Sequence, residues 1–205
     1  SPTFLSDFFD PGQRNIVIKQ PVGVVGIITP WNFPSAMITR KIAPALAAGC
    51  TCVIKAPSDT PLSALALMEI AEQAGVPAGV LNLVTSKNSR MVAEVLCEHP
   101  VIKKISFTGS TGVGKQLMQQ SSSTLKKMSM ELGGNAPFIV FEDADIDDAV
   151  KGAVIAKFRS SGQTCVCANR LFVHKKVYKE FTEKLAEAVR GFKVGNGLEA
   201  GITHG

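Results

Sequence analysis

The 205-residue sequence lacks any apolar run long enough to cross a membrane as a helix. A helical span needs roughly 18 or more apolar residues in succession, whereas the apolar runs here, such as 22–28, are soon interrupted by glycine or proline. Internal repeats and low-complexity tracts are also absent. With 45% hydrophobic and 19% charged residues, the chain is predicted to be globular with a sizeable buried core, and a membrane-spanning role is excluded.

Two further absences bear on the processing of the N-terminus and on the cellular compartment. The N-terminal segment 1–5 has neither an initiator methionine nor the basic-then-apolar pattern of a signal peptide, which predicts a cut or processed start. The cysteines do not form an even-numbered disulfide framework, since there are five of them: Cys50, Cys52, Cys97, Cys165 and Cys167. This predicts a reducing intracellular compartment, the mitochondrial matrix or the cytoplasm.

The sequence also lacks a basic stripe. Its 22 basic and 17 acidic residues give a net charge of +5. The basic residues are scattered and are not interleaved with aromatic ones, so no nucleic-acid partner is expected. A modest positive charge suits anionic small molecules equally well, and no set of metal ligands is predicted.

Predicted strands alternate with predicted helices along the chain, which indicates a parallel α/β sheet. The strands are Val22–Ile28, Thr51–Lys55, Leu81–Val84, Lys104–Phe107, Met128–Leu132, Pro137–Phe141 and Leu171–His174. The helices are Ser35–Ala48, Pro61–Ala74, Ser89–Glu98, a segment that ends near Gln120, Asp145–Ser160 and Lys176–Phe192. The double glycine at 133–134 is the candidate domain boundary.

One segment carries a candidate nucleophile. In Ser161-Gly-Gln-Thr-Cys-Val-Cys-Ala-Asn169, Cys165 follows a predicted helix in a short polar stretch that contains a glycine. A thiolate attacks carbonyl carbons readily. A lone cysteine is more often a small apolar core residue, but the nearby Cys167 and the polar setting favour a reactive role.

Two polar side chains follow predicted strands. Glu131 lies at the edge where the loops of a parallel sheet gather around ligands, and a carboxylate there can take a proton from a thiol or from an attacking water. Asn32, in the proline-bracketed segment Thr29-Pro-Trp-Asn-Phe-Pro34, can stabilise an oxyanion through its amide. The alternatives are an ordinary solvated charge for Glu131 and an ordinary turn with a buried tryptophan for the Asn32 segment.

A glycine-rich segment, Phe107-Thr-Gly-Ser-Thr-Gly-Val-Gly-Lys115, lies between a predicted strand and a predicted helix. Its backbone N–H groups are therefore placed to meet a phosphate. Gly109, Gly112 and Gly114 do not have the spacing of the dinucleotide fingerprint, and Lys115 is not followed by the serine or threonine of a Walker A loop. An unliganded tight turn is equally compatible with the pattern.

These four segments, in this order, resemble the aldehyde dehydrogenase superfamily, and the resemblance runs through essentially the whole sequence. It implies an α/β fold with a Rossmann-like, parallel-sheet NAD(P)-binding domain in residues 1–132. Residues 133–205 would form the first part of an α/β catalytic domain. The resemblance further implies a partial chain, inactive by itself, of an enzyme that forms homodimers or homotetramers.

The resemblance also implies roles for individual residues. Cys165 corresponds to the nucleophile, Glu131 to the base that hydrolyses the thioester, and Asn32, with the backbone N–H of Cys165, to the oxyanion hole. The reaction would run through a thiohemiacetal, hydride transfer to the nicotinamide and water attack on the acyl-enzyme, yielding a carboxylic acid. The NAD or NADP site would involve Ile28, Thr29, Pro30, Trp31, Lys55, Ser58, Phe107, Thr108, Gly109, Ser110, Val113, Glu131 and Leu132.

Finer similarities concern the substrate. Segments 34–41 and 157–167 are similar to those of succinate-semialdehyde dehydrogenases, enzymes of GABA degradation. By this resemblance Arg40 and Arg159 clamp the distal carboxylate, for which the guanidinium fork is suited; a surface ion pair is the alternative for either arginine. Glutarate semialdehyde and other ω-carboxylate aldehydes are the rival substrates, and a non-catalytic NAD(P)-binding fragment is the rival from another class.

Two positions leave questions open. Many NAD-preferring members of the superfamily carry a glutamate three residues after the lysine, but Lys55-Ala-Pro-Ser58 has serine there, so NADP is expected to be tolerated or preferred. Asp59 next to it is able to compensate. The spacing of Cys165 and Cys167 supports a redox hypothesis, in which a strained disulfide reversibly blocks the nucleophile; a passive buried thiol at Cys167 is the alternative.

Overall fold

The computed structural model describes residues 3–6 and 14–205, with side chains from Ile16 onward. The chain separates into two compact units, Ser1–Glu131 and Leu132–Gly205. The predicted boundary, after residue 132, lies one residue further along the chain. The first two residues of the N-terminal segment, for which a processed start is predicted, lie outside the described residues. None of the helices that the structure describes has the length and apolar composition that a membrane crossing requires.

The first unit begins with a two-stranded antiparallel sheet that the sequence analysis did not predict. Strand β1 (Thr3–Ser6) pairs with β2 (Arg14–Val17), and Thr3 lies opposite Val17. Each strand is only four residues long. Such a length is too short for the alternation of polar and apolar residues to identify a strand.

The main sheet of the first unit consists of five parallel strands, which confirms the predicted α/β class. The strands are β3 (Val24–Ile28), β4 (Thr51–Lys55), β5 (Leu81–Val84), β6 (Ile102–Thr108) and β7 (Lys127–Glu131). Their spatial order is β5-β4-β3-β6-β7, so the chain builds outward from β3 and then returns to add β6 and β7 on the other side. The carboxyl ends of β3 and β6 flank this reversal, where open α/β sheets bind ligands.

Four helices connect these strands. They are α1 (Ala36–Ala47), α2 (Pro61–Gln73), α3 (Ser89–Glu98) and α4 (Thr111–Ser121). Helix α2 shows the predicted ends, because Pro61 opens its first turn and Gly75 follows its last turn with φ of +85°. That left-handed conformation favours glycine, so the sequence marks where this helix stops.

Apolar packing covers the central strand β3 on both faces. Val25 and Ile27 are buried on one face in a cluster with residues of α1 and α2. On the other face, a Cβ added to Gly26 would lie 2.8 Å from Ile105 Cδ1 and 3.6 Å from Leu96 Cβ. Helix α3 therefore approaches the strand closely, and the sheet is covered by helices on both sides, as parallel sheets require.

The second unit is a smaller α/β unit. Strand β8 (Ala136–Val140) pairs in parallel with β9 (Ala168–Val173), and the connection between them contains α5 (Ile146–Phe158). Helix α6 (Tyr178–Arg190) follows and packs against α5. The core of this unit consists of Val140, Ile146, Val150, Ala153 and Phe181.

A tight turn ends α5 two residues earlier than predicted, at Phe158 instead of Ser160. Ser160, Ser161 and Gly162 have φ values of +50°, +55° and +76°. A right-handed helix cannot continue through left-handed residues, and serine adopts this conformation only at a cost in free energy. The turn therefore fixes the direction in which the following segment, 163–167, leaves the helix.

Candidate functional site

The register of the parallel strands brings most of the predicted cofactor residues to one edge of the sheet in the first unit. Ile28, at the end of β3, lies beside Lys55 of β4 and Phe107 of β6. Thr108 of β6 lies beside Glu131 of β7. We call these strand ends the carboxyl edge. Loops that follow four neighbouring strands therefore start from the same line of the sheet.

Two buried hydroxyl groups lie at the carboxyl edge. Thr29 Oγ1 and Thr108 Oγ1 have no hydrogen-bond partner among the residues that the structure describes. A buried polar atom without a partner costs free energy. A polar ligand lying on this edge would offer such partners, so the residues here fit the phosphate- and ribose-bearing group that the sequence analysis expects.

The turn from β6 into α4 completes the central part of this edge. Gly109 N donates to Glu131 O at 3.1 Å, which fixes the turn to β7. Ser110 caps α4, because its side chain accepts a hydrogen bond from Val113 N. A helix start of this kind can bind an anion, and it is equally compatible with an unliganded turn, so phosphate binding here stays a prediction.

The segment between β3 and α1 contains three more predicted residues. Pro30 and Asn32 are partly buried, and Trp31 is 46% exposed. The alternative interpretation of this segment, a turn with a buried tryptophan, is therefore wrong for Trp31. The exposed indole and the neighbouring amide are both placed in the loop that follows β3 at the carboxyl edge.

Lys55 lies almost fully buried at the end of β4. Its Nζ donates to Ser58 Oγ at 3.1 Å, and Ser58 Oγ donates in turn to Ser86 O at 3.0 Å. Burial lowers the pKa of Lys55, while the nearby Asp59 carboxylate raises it. The desolvated Lys55 ammonium thus lies next to Ser58, the position at which a glutamate was noted as typical of NAD-preferring proteins. Asp59 acts electrostatically on this lysine.

A cavity of about 280 Å³, which we call the slot, lies between α3 and α4 beside the end of β3. Two of its residues, Ile28 and Val113, were predicted cofactor residues. The slot is lined by Ile28, Ser89, Arg90, Ala93, Val113, Gln116, Leu117 and Gln120. The other six were not predicted, since nothing in the sequence shows which faces of α3 and α4 oppose each other.

The predicted base and one predicted clamp residue contact each other. Arg40 Nη1 donates to Glu131 Oε2 at 3.0 Å, with side chains 55% and 45% exposed. Separate roles were predicted for these residues; Arg40 forms an ion pair here, and its role as a carboxylate clamp stays a prediction. An ion pair this exposed stabilises the folded chain by only about 0–1 kcal/mol. A ligand carboxylate can therefore replace Glu131 as the partner of Arg40 with little loss of free energy.

Arg40 and Glu131 line a cavity of about 420 Å³, and most of the charged side chains around it are basic. Lys41 and Lys104 also line it, and the buried Lys41 Nζ donates to Ser106 Oγ at 3.2 Å. Burial lowers the pKa of Lys41; Glu131 raises it, and Arg40 and Lys104 lower it. The cavity therefore suits a ligand that carries a carboxylate.

In the second unit, the segment 163–167 presents one thiol and buries the other. Cys165 is exposed, whereas Cys167 is 2% exposed. A Cβ added to Gly134 would lie 2.9 Å from the Cys165 carbonyl oxygen. Gly134 therefore allows the backbone at Cys165 to approach closely, which a side chain at position 134 would prevent.

Cys167 is held in place by its own contacts. Its Sγ lies 2.8 Å from Thr164 Oγ1 and donates to Lys157 O at 3.4 Å. All five cysteines of the chain are free thiols in this structure. The disulfide with Cys165 stays a hypothesis, and the contacts favour the passive buried thiol.

The remaining predicted residues also lie in the second unit. Leu132 is its partly buried first residue. Arg159 is exposed at the end of α5 and lines a cavity of about 370 Å³ with Phe158, Ser160 and residues near the end of the chain. Among the described residues, no group of three histidine, cysteine or acidic side chains is placed to hold a metal ion.

Comparison with known proteins gives consistent matches. Residues 4–205 match the family described as "Aldehyde dehydrogenase family". The chain is 63% identical over 196 residues to "Succinate-semialdehyde dehydrogenase [NADP(+)] 1" of Schizosaccharomyces pombe, and 60% identical over 195 residues to "Glutarate-semialdehyde dehydrogenase" of Pseudomonas putida. The crystal structure of succinate-semialdehyde dehydrogenase from Burkholderia pseudomallei superposes with a TM-score of 0.94 at 54% identity.

These matches cover nearly all of this chain but less than half of each relative. The match to the S. pombe protein covers 96% of this chain and 39% of that protein. The corresponding shares are 95% and 40% for the P. putida protein and 100% and 42% for the B. pseudomallei structure. The chain thus spans about two fifths of the length of the relatives that it matches.

Gly109→Ala is expected to disturb the carboxyl edge. Its Cβ would lie 2.4 Å from Phe107 Cζ, and forcing an extra carbon into a packed site lowers the free energy of unfolding by about 1–3 kcal/mol. Gly112→Ala is the matched control, because nothing lies within 4 Å of its Cβ position. Urea unfolding should show the control unchanged or up to about 1 kcal/mol more stable. Equal stability of the two variants would contradict the close packing.

Alkylation is expected to distinguish the cysteines. At pH 8, iodoacetamide should modify the exposed Cys165 first, because Cys167 is buried and burial raises the pKa of the Cys52 thiol to about 11. With that pKa only about one Cys52 side chain in a thousand is a thiolate at pH 8, and its reaction should accelerate as the pH rises toward 11. Peptide mass spectrometry measures each rate. Modification of Cys167 as fast as Cys165 would contradict the placement.

Proposed function

We propose, since this chain belongs to the aldehyde dehydrogenase family, that the complete protein oxidises succinate semialdehyde to succinate with NAD(P)+. The observation that carries this proposal is the exposed thiol of Cys165, held in a tight polar turn while its neighbour Cys167 is buried. A relative named succinate-semialdehyde dehydrogenase shares 63% of the aligned residues with this chain.

The two units take different parts of this function. Residues 1–132 form the NAD(P)-binding domain, because at the carboxyl edge its parallel sheet carries a capped helix start and two buried hydroxyls that have no hydrogen-bond partner among the described residues. Residues 133–205 form the first part of the catalytic domain and supply the nucleophile. At about two fifths of the length of its relatives, the chain alone is proposed to be inactive.

The residues of the chain account for the chemistry as follows. The Cys165 thiolate bonds to the aldehyde carbon, and the Asn32 amide with the Cys165 N–H stabilises the negative oxygen. NAD(P)+, when bound, supplies the hydride acceptor that converts this adduct into a thioester. Glu131 takes a proton from a water whose oxygen bonds to the thioester carbon. The carbon–sulfur bond then breaks, which releases the carboxylic acid and returns the thiolate.

Two arginines account for the choice of substrate. Arg40 and Arg159 are proposed to bind the distal carboxylate of the semialdehyde through their guanidinium groups. The ion pair of Arg40 with Glu131 supports this, because it shows that the Arg40 guanidinium binds a carboxylate within the cavity that also contains Lys41 and Lys104. Substrate binding would then release the Glu131 carboxylate from this contact.

Glutarate semialdehyde is the second candidate substrate. The relative of that name is 60% identical to this chain, close to the 63% of the succinate-semialdehyde relative, and both substrates end in a carboxylate.

We further propose that the complete protein forms homodimers or homotetramers in a reducing intracellular compartment, mitochondrial matrix or cytoplasm, where its five thiols stay free.

The clamp is tested with the complete protein on succinate semialdehyde and on butanal, an uncharged aldehyde of the same chain length. Arg40→Ala and Arg159→Ala should each lower kcat/KM on succinate semialdehyde by about tenfold to a hundredfold, the cost of one lost charged hydrogen-bond partner. Their kcat/KM on butanal should change little. Arg190→Ala is the control, because Arg190 pairs with Glu187 on the surface of α6, and it should change neither value.

Glutarate semialdehyde completes the series. A higher kcat/KM on glutarate than on succinate semialdehyde would favour the second candidate substrate. Equal losses on the charged and uncharged aldehydes would overturn the clamp. Absence of turnover on every aldehyde, with NAD and NADP alike, would overturn the proposed activity.

A further inference from the structure

Strand β9 contains an extra residue near its start. Ala168 lies opposite Ala136, but Arg170 lies opposite Pro137, so Asn169 falls between two successive pairs of the ladder. Proline has no N–H to donate to a neighbouring strand, and inside a sheet it is tolerated at irregularities of this kind. Asn169 is therefore the extra residue of a β-bulge. Bulges are over-represented next to active sites, where they redirect a side chain.

The Asn169 amide contacts two other segments of the second unit. Its Oδ1 accepts a hydrogen bond from Lys157 Nζ at 2.6 Å, and its Nδ2 donates to Gly134 O at 3.4 Å. An ammonium group can only donate, so the amide oxygen must face Lys157 and the amide nitrogen is left for the Gly134 carbonyl. One side chain thus joins the last turn of α5, the start of β9 and the double glycine that precedes β8.

Both partners of Asn169 also contact the segment 163–167, which contains the predicted nucleophile. Lys157 O accepts a hydrogen bond from Cys167 Sγ at 3.4 Å. Gly134 lies so close to the Cys165 carbonyl oxygen that an added Cβ would be 2.9 Å from it. Lys157 and Gly134 therefore contact this segment at two points, and the Asn169 amide connects them.

The segment 163–167 depends on such contacts because it belongs to neither a helix nor a strand. It follows Ser160 and Ser161, which have φ values of +50° and +55°, and residues stay in this conformation only when their surroundings hold them there. Displacing a reacting group by about 1 Å can slow a reaction by about a hundredfold. Contacts that fix this segment therefore bear on how fast Cys165 reacts.

We propose that Lys157 and Asn169 are positioning residues, whose contact with each other and with Gly134 holds the backbone of Cys165 where its thiolate meets the aldehyde carbon. This inference rests on the proposed function, in which Cys165 bonds to the substrate. Both residues act through the backbone of the segment 163–167. Their loss therefore slows the reaction of Cys165 and leaves substrate binding nearly unchanged.

Single-turnover kinetics of the complete protein test the inference. Enzyme is used in saturating excess over succinate semialdehyde, and the rate constant of coenzyme reduction is measured by absorbance. A misfolded fraction does not change a rate constant measured in this way, so a purely structural role would not lower it. Lys157→Met and Asn169→Ala should each lower the rate constant by about threefold to tenfold, the cost of a lost hydrogen bond. Steady-state KM should change little.

The two substitutions should not act independently. Asn169→Ala already removes the contact with Lys157, so the double variant should be as slow as Asn169→Ala alone, whereas independent residues would give multiplied losses. Lys157→Arg keeps a cationic donor and should recover most of the wild-type rate constant. Lys151→Met is the matched control, because Lys151 pairs with Asp148 on the exposed surface of the same helix. It should keep the wild-type rate constant.

Several results would overturn the inference and leave the proposed function standing. They are wild-type rate constants in both Lys157→Met and Asn169→Ala, multiplied losses in the double variant, and an equal loss in Lys151→Met. Lower thermal stability of the variants with an unchanged rate constant would also overturn it, because the contacts would then support only the fold. If the wild type reduces no coenzyme with any aldehyde, the proposed function fails and the inference fails with it.

Discussion

The register of five parallel strands is the constraint on which the rest of the first unit depends. It places Ile28, Lys55 and Phe107 side by side, and Thr108 beside Glu131. A shift of one residue in any strand would turn its side chains to the opposite face. Lys55 would then leave Ser58, and its ammonium would take the place of Ile54 in the apolar core. The apolar packing on both faces of β3 thus determines the positions of the polar groups at the carboxyl edge.

In the second unit, the thiol of Cys165 is exposed while the thiol of Cys167, two residues later, is buried. Left-handed residues end α5 and turn the chain, and Gly134 allows the backbone at Cys165 to approach closely. Contacts with Thr164 and Lys157 hold the sulfur of Cys167. Two cysteines that differ little in sequence context therefore differ in accessibility: Cys165 is exposed and Cys167 is buried.

Much of the fold follows from local patterns, and the site follows only in part. Apolar runs and helix ends, such as Pro61 and Gly75, predict most elements of the main sheet correctly. The contact between Arg40 and Glu131 joins residues 91 positions apart, and only the order of β3, β6 and β7 brings them together. The slot residues escape prediction for the same reason. Family resemblance assigns roles to single positions, but it does not show that a predicted clamp and a predicted base bind each other.

We propose that Cys165 forms the covalent bond to substrate and that Glu131 activates the water that breaks it. The direct test is mass spectrometry of the complete Glu131→Gln variant after incubation with succinate semialdehyde and NADP+. The expected result is a succinyl thioester that accumulates on the Cys165 peptide and is absent from Cys165→Ala. A Glu131→Gln variant that oxidises succinate semialdehyde to succinate at the wild-type rate without accumulating a thioester, or a succinyl group attached to another residue, would contradict it.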